Sequence, residues 1–124
     1  MNVIYVGIGG CIGAIFRYLI SIFSNKIFTY KLPVGTLIAN ILGAILIGAI
    51  MQITIKTDII SPQMKLFLTT GIMGGLTTFS TFSYETMSLI EKGNITLGFT
   101  NIILNLFLSL GGVYIGEIII NKIL

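Results

Sequence analysis

The chain has 124 residues, 55% of them hydrophobic and only 9% charged, and its mean hydropathy is +1.04. Soluble domains carry about 25% charged residues, so this sequence cannot clothe a water-facing surface and lipid is its expected solvent. A net charge of +3 with no basic run and no aromatic-basic interleaving argues against nucleic acid as a partner. The single cysteine, Cys11, excludes an internal disulfide and reads as a small hydrophobe.

Segments 3–23, 32–55, 65–90 and 95–120 are apolar and separated by short polar links. Each reaches the roughly 20 residues that cross about 30 Å of hydrocarbon. The third helix itself is expected to start near 63, because Ser61-Pro62 offers an N-cap followed by a proline at the first helical position. Pro33 marks the start of the second in the same way. The spacing predicts an all-α membrane protein: one domain, 1–124, of four transmembrane helices with both termini on one side. The N-terminus shows neither a basic n-region nor a small-residue cleavage site, so no signal peptide is expected.

The first helix carries Gly9 and Gly13 on one face, a flat surface that lets backbones approach closely. Arg17 lies near its far end, where it can snorkel to the interface, anchor the helix, or attract anions to a vestibule. The second helix repeats the small-residue pattern at Gly35, Ala39 and Gly43. It also places Asn40 near mid-membrane among Ile and Leu. An amide there either bonds across helices or meets an ion, and its NH2 offers two donors.

The third segment contains the most informative stretch, Gly74-Gly75-Leu76-Thr77-Thr78-Phe79-Ser80-Thr81-Phe82. Adjacent glycines are expected to loosen the helix, with the hydroxyls satisfying freed backbone groups. A helix broken at membrane depth is tolerated where it lines a cavity, and in transporters such breaks hold ions. Gly71 and Gly75 also read as a helix crossing. Phe79 and Phe82 share a face, either as core or as ring edges turned to a small anion. Glu85 lies one further step along. On the fourth helix Asn101, Asn105 and Ser109 recur every four residues, either as interhelical glue or as a polar track, and Gly112 and Gly116 form another flat face.

Positive charge in short loops sets orientation. Lys56, Lys65, Lys122 and the terminal amine lie on one side. Lys26, Lys31, Lys92 and the reach of Arg17 lie on the other. Near balance leaves open a fixed orientation or insertion both ways up, and the latter makes an antiparallel dimer available. A thin bundle with polar residues at membrane depth also calls for a second subunit.

An enzyme is not expected, since the chain has no histidine, no cysteine pair and no carboxylate pair at metal-ligand spacing. Gly7-x-Gly9-x-x-Ile12 lacks the third glycine of a dinucleotide loop. A small dual-topology multidrug exporter would need a carboxylate deep in the membrane. The first helix carries Arg17 instead, and Glu85, Glu91 and Glu117 lie in or near later helix ends. A membrane scaffold has no need of the 74–82 run.

These residues resemble the small fluoride channels of the Fluc (CrcB) family. The matching pieces are Gly9-Gly10-x-x-Gly13-Ala14-x-x-Arg17-Tyr18, Gly35-Thr36-x-x-x-Asn40-x-x-Gly43, and the run from Gly74 to Phe82 with Glu85. The resemblance covers all four helices in order, and the third motif is the most specific. It implies an inverted dimer, of identical or sister chains, with two fluoride pores in the plasma membrane, the inner membrane of a bacterium. It implies that Phe79 and Phe82 turn ring edges to fluoride, that Asn40 lines the pore, and that Ser80, Thr81, Asn105 and Ser109 add polar groups near it. Arg17 and Glu85 are left to a vestibule or structural role. The resemblance also implies a structural Na+ at the dimer centre, held by the backbone carbonyls of Gly74 and Thr77. The activity implied is passive export of fluoride, giving fluoride resistance.

Overall fold

The computed structural model describes all 124 residues, Met1–Leu124, and contains helices and no strand. Helix α1 spans Asn2–Ile27 and α2 spans Val34–Lys56. A composite helix, α3, follows over residues 62–76. Its ends, Pro62–Leu66 and Gly74–Leu76, are α-helical, and Phe67–Met73 between them is π-helical. Helix α4 spans Phe79–Glu91 and α5 spans Ile95–Ile123. Three of these, α1, α2 and α5, are each long and apolar enough to cross a membrane.

The ends follow from local chemistry. Ser61 accepts a hydrogen bond from the Met64 N–H at 3.2 Å, with Pro62 in the first turn of α3. Helix α1 continues through Asn25 and Lys26, residues read from sequence as the beginning of a link. Polar side chains alone do not stop a helix, and no proline or glycine interrupts it there. It ends where Phe28 becomes extended and its N–H closes on the Ser24 carbonyl.

Helix α4 ends on Gly93, whose φ of 86° lies in the left-handed region. The Asn94 N–H reaches the Leu89 carbonyl at 2.8 Å and the Gly93 N–H reaches Ile90 at 3.0 Å, so the last carbonyls of α4 are satisfied. A side chain in this conformation costs about 1–2 kcal/mol. Gly93→Ala is therefore expected to lower stability by about that amount and Gly93→Asn by less, as read by thermal unfolding in detergent.

The helices pack through small residues. A Cβ at Gly9 would meet the backbone of Phe67 and Gly71, and one at Gly13 would meet the backbone of Ile72 and Leu76. Gly75 in turn lies against the backbone of Gly10 and Ala14. Helices α1 and α3 thus run parallel in backbone contact. Helices α2 and α5 repeat the arrangement, with Gly48 against Val113 and Gly116 against Ile45 and Ala49. Large apolar side chains such as Ile8, Phe16, Phe107 and Tyr114 point outward. Lipid tails solvate them as well as a protein core would, so close backbone packing takes over the role of a hydrophobic core.

This packing revises the role given to the glycines. Gly74 is α-helical, with φ −62° and ψ −37°, and Gly75 lies in the same turn. The chain leaves the helix two residues later, at Thr77 and Thr78, which are both extended. Gly75 serves the close crossing with α1 rather than loosening its own helix.

Candidate functional site

Thr77 and Thr78 form the hinge between α3 and α4, and their freed backbone groups define the site. The Thr78 N–H, which a continuous helix would give to the Gly74 carbonyl, goes instead to Asn40 Oδ1 at 2.8 Å. The Thr81 N–H, which would go to Thr77, goes to Thr78 Oγ1 at 3.1 Å, so Thr78 is the N-cap of α4. The carbonyls of Gly74 and Thr77 thereby lose their helical donors. Thr78 was the residue that sequence reading passed over. The signal was a threonine just ahead of a helix start, masked by its hydroxyl-rich neighbours.

Beside the hinge lies a groove of about 650 Å³, bounded by α2, α3, α4 and α5. Its wall is mostly apolar. Asn40, Gly74, Thr77, Phe79, Phe82, Asn105 and Ser109 all line it, so one surface gathers these sequence-selected residues from four separate elements. Thr69 and Thr78 join them.

Asn40 ties the groove together. Its NH2 donates to the Thr78 carbonyl at 3.2 Å and to Asn105 Oδ1 at 3.0 Å, while its carbonyl takes the Thr78 N–H. The amide reads both backbone groups of one hinge residue and links α2 to α5. Both of its donors are engaged inside the chain.

Phe79 and Phe82 lie one turn apart with ring centroids 5.4 Å apart and planes at 62°. An edge of one ring is therefore presented to the face of the other. Phe79 is 79% exposed, an unusual placement for a phenylalanine that belongs to a packed pair.

The remaining candidates lie elsewhere. Ser80 and Thr81 are outside the groove wall, and their hydroxyls gather around Thr78 Oγ1 at 3.3 and 3.0 Å. They complete the cap of α4. Asn101 is fully buried behind the groove, so of the α5 row only Asn105 and Ser109 reach it. Arg17 lines no part of it. Glu85 lines a separate pocket of about 160 Å³ with Lys31, Ser88 and Lys92. Thr36 donates to its Oε1 at 2.9 Å, and its buried Oε2 has no partner.

A bundle of apolar helices that gathers amides, hydroxyls and a phenylalanine pair along one groove has the make-up of a multi-pass membrane protein. The profile of the family described as "CrcB-like protein, Camphor Resistance (CrcB)" matches residues 4–117, and the chain belongs to this family. It is similar to a protein of Clostridium perfringens named "Fluoride-specific ion channel FluC", with 66% identity over 90% of this chain and 88% of the relative. Proteins of the same name from Shewanella loihica and Ruminiclostridium cellulolyticum are 47% and 46% identical. Those matches cover 94% and 99% of this chain and 93% and 95% of the relatives. The relatives are named as channels, not enzymes.

Proposed function

We propose that the protein is a passive, selective fluoride channel that lets fluoride leave the cytoplasm and so confers fluoride resistance. The observation that carries this reading is its 66% identity to a relative named for fluoride conduction. The groove supports it chemically. Fluoride is small and strongly hydrated, so a pathway must replace water with donors and positive ring edges. Asn40 and Ser109 supply the donors, with Asn105 holding the Asn40 amide through its Oδ1, and the Phe79–Phe82 pair supplies the edges. An anion here competes with Asn105 Oδ1 and the Thr78 carbonyl for the N–H groups of Asn40. The groove wall carries no acid, which counts against exchange of protons for a cationic drug.

In this reading α3 and α4 together make a third, broken transmembrane helix. Ser109 and Thr77, which are only partly buried, would be expensive to leave facing lipid. A second subunit, identical or a sister chain, inserted the other way up, covers the groove and completes two pores. The carbonyls of Gly74 and Thr77 have lost their helical donors, and both residues line the groove, which supports a hard, oxygen-preferring Na+ at the dimer centre. When bound, that ion would supply fixed positive charge joining the two hinges. In the plasma membrane a negative-inside potential drives the anion outward with about 2.3 kcal/mol per 100 mV.

Expression in a fluoride-sensitive bacterium is expected to restore growth in fluoride at acid pH. Protein present in the membrane with no restored growth would count against the proposal.

A further inference from the structure

A chain of hydrogen bonds leaves the groove at the hinge, passes through the buried side chains of Asn101 and Thr86, which do not line it, and returns to the backbone of Phe82. It starts at the hinge, where the Thr78 N–H donates to Asn40 Oδ1 at 2.8 Å. Asn40 Nδ2 donates to Asn105 Oδ1 at 3.0 Å, and Asn105 Nδ2 donates to Asn101 Oδ1 at 3.0 Å. Asn101 Nδ2 donates to Thr86 Oγ1 at 2.9 Å, and the Thr86 hydroxyl donates to the Phe82 carbonyl at 2.7 Å. Every bond points the same way.

The two ends fix that direction. A backbone N–H can only donate and a backbone carbonyl can only accept, so each amide between them has one consistent orientation. Reversing any one of them sets two NH2 groups or two oxygens against each other. Head-to-tail alignment also strengthens each member through polarisation. The ends belong to Thr78 and Phe82, and between them lies the turn that carries Phe79. The chain therefore fastens both ends of the segment bearing the aromatic pair to α2 and α5.

We propose that Thr86 and Asn101 are positioning residues for ion passage. From outside the groove they set which atom of Asn105 and Asn40 faces it and hold the Phe79–Phe82 segment in place. This inference rests on the channel reading given above. Asn101 is 0% exposed and Thr86 is 5% exposed, and neither lines the groove, so neither can touch a passing ion from there.

The test compares Thr86→Val with Thr86→Ser in liposomes. Valine keeps the shape of threonine but removes the acceptor for Asn101 and the donor to Phe82. It is expected to lower fluoride efflux by at least roughly tenfold, and serine should recover most of that loss. The side-chain NH2 signals of Asn40 and Asn105, followed by NMR of the full chain in detergent, should shift in the valine variant and return in the serine variant. A residue that merely filled space would leave those signals unmoved. If Thr86→Val fails to fold, Thr86→Ala fits within the native volume and gives the same reading. Unchanged amide signals with wild-type flux in Thr86→Val would overturn the proposal. A wild-type protein that carries no fluoride would instead defeat the channel reading, while the amide signals would still decide whether the relay exists.

Discussion

Asn40→Asp is expected to reduce fluoride efflux by roughly 100-fold or more while leaving the protein in the membrane. The amide makes two donations, to the Thr78 carbonyl at 3.2 Å and to Asn105 Oδ1 at 3.0 Å. Replacing NH2 with oxygen sets acceptor against acceptor at both contacts. Even a protonated carboxyl offers one O–H where the amide offers two N–H groups. Each buried partner left unsatisfied costs about 1–3 kcal/mol. Two such losses act on the hinge that carries the aromatic pair, and about 2.8 kcal/mol already corresponds to a 100-fold change. Asn40→Ala removes the same donors and also the Oδ1 that takes the Thr78 N–H, so its loss should be at least as large. Efflux from liposomes at matched protein density measures both. Equal activity in Asn40→Asp and wild type would mean that the hinge is held by other contacts.

The second large effect is expected at Gly13. A Cβ there would meet the Ile72 carbonyl and lie 2.8 Å from the Leu76 backbone nitrogen. Backbone cannot swing aside as a side chain can, so Gly13→Ala must push α1 away from α3. Overpacking of a tight contact typically costs about 1–3 kcal/mol. The shift also displaces α3 just ahead of the hinge, so efflux should fall together with stability. Gly111 gives the control, because a Cβ there meets nothing within 4 Å of the same chain. Gly111→Ala should leave unfolding unchanged or slightly raised, since alanine is the better helix former by about 1 kcal/mol. Thermal unfolding of both variants in the same detergent separates the cases. Equal unfolding of Gly13→Ala and wild type would show that the α1–α3 crossing is looser than backbone contact.

Much of this organisation was legible in the sequence, and the failures have physical causes. Ser61-Pro62 announced the start of α3, because a hydroxyl cap and a fixed φ leave few alternatives. The spacing of Gly9 with Gly13 and of Gly71 with Gly75 announced a helix crossing, because four residues return nearly to the same face. The location of the hinge was less legible. Glycine pairs suggest weakness, yet Gly74 and Gly75 are helical, and the helix ends where Asn40 captures the Thr78 N–H. That capture depends on a residue 38 positions away, which no local reading can weigh. The π-helical stretch Phe67–Met73 had no signal in composition.

The α5 row shows a geometric limit. Steps of four residues on a helix of 3.6 residues per turn drift by about 40° each. Asn101 and Ser109 therefore point in different directions, and only the later members of the row reach the groove. Ser80 and Thr81 show a chemical limit. Their hydroxyls look available in sequence, but the unpaired amides of a helix N-terminus make Thr78 a cap, and the neighbouring hydroxyls gather on it. The identities of Asn40, Phe79 and Phe82 could be read directly. What their side chains touch required the fold.

The most direct measurement is fluoride efflux from liposomes loaded with potassium fluoride or potassium chloride, followed with ion-selective electrodes with Na+ present. Selective passive conduction predicts rapid fluoride efflux that begins only when a potassium ionophore relieves the charge imbalance, with chloride retained. Fluoride loss that needs no ionophore, or chloride leaving as fast as fluoride, would contradict it.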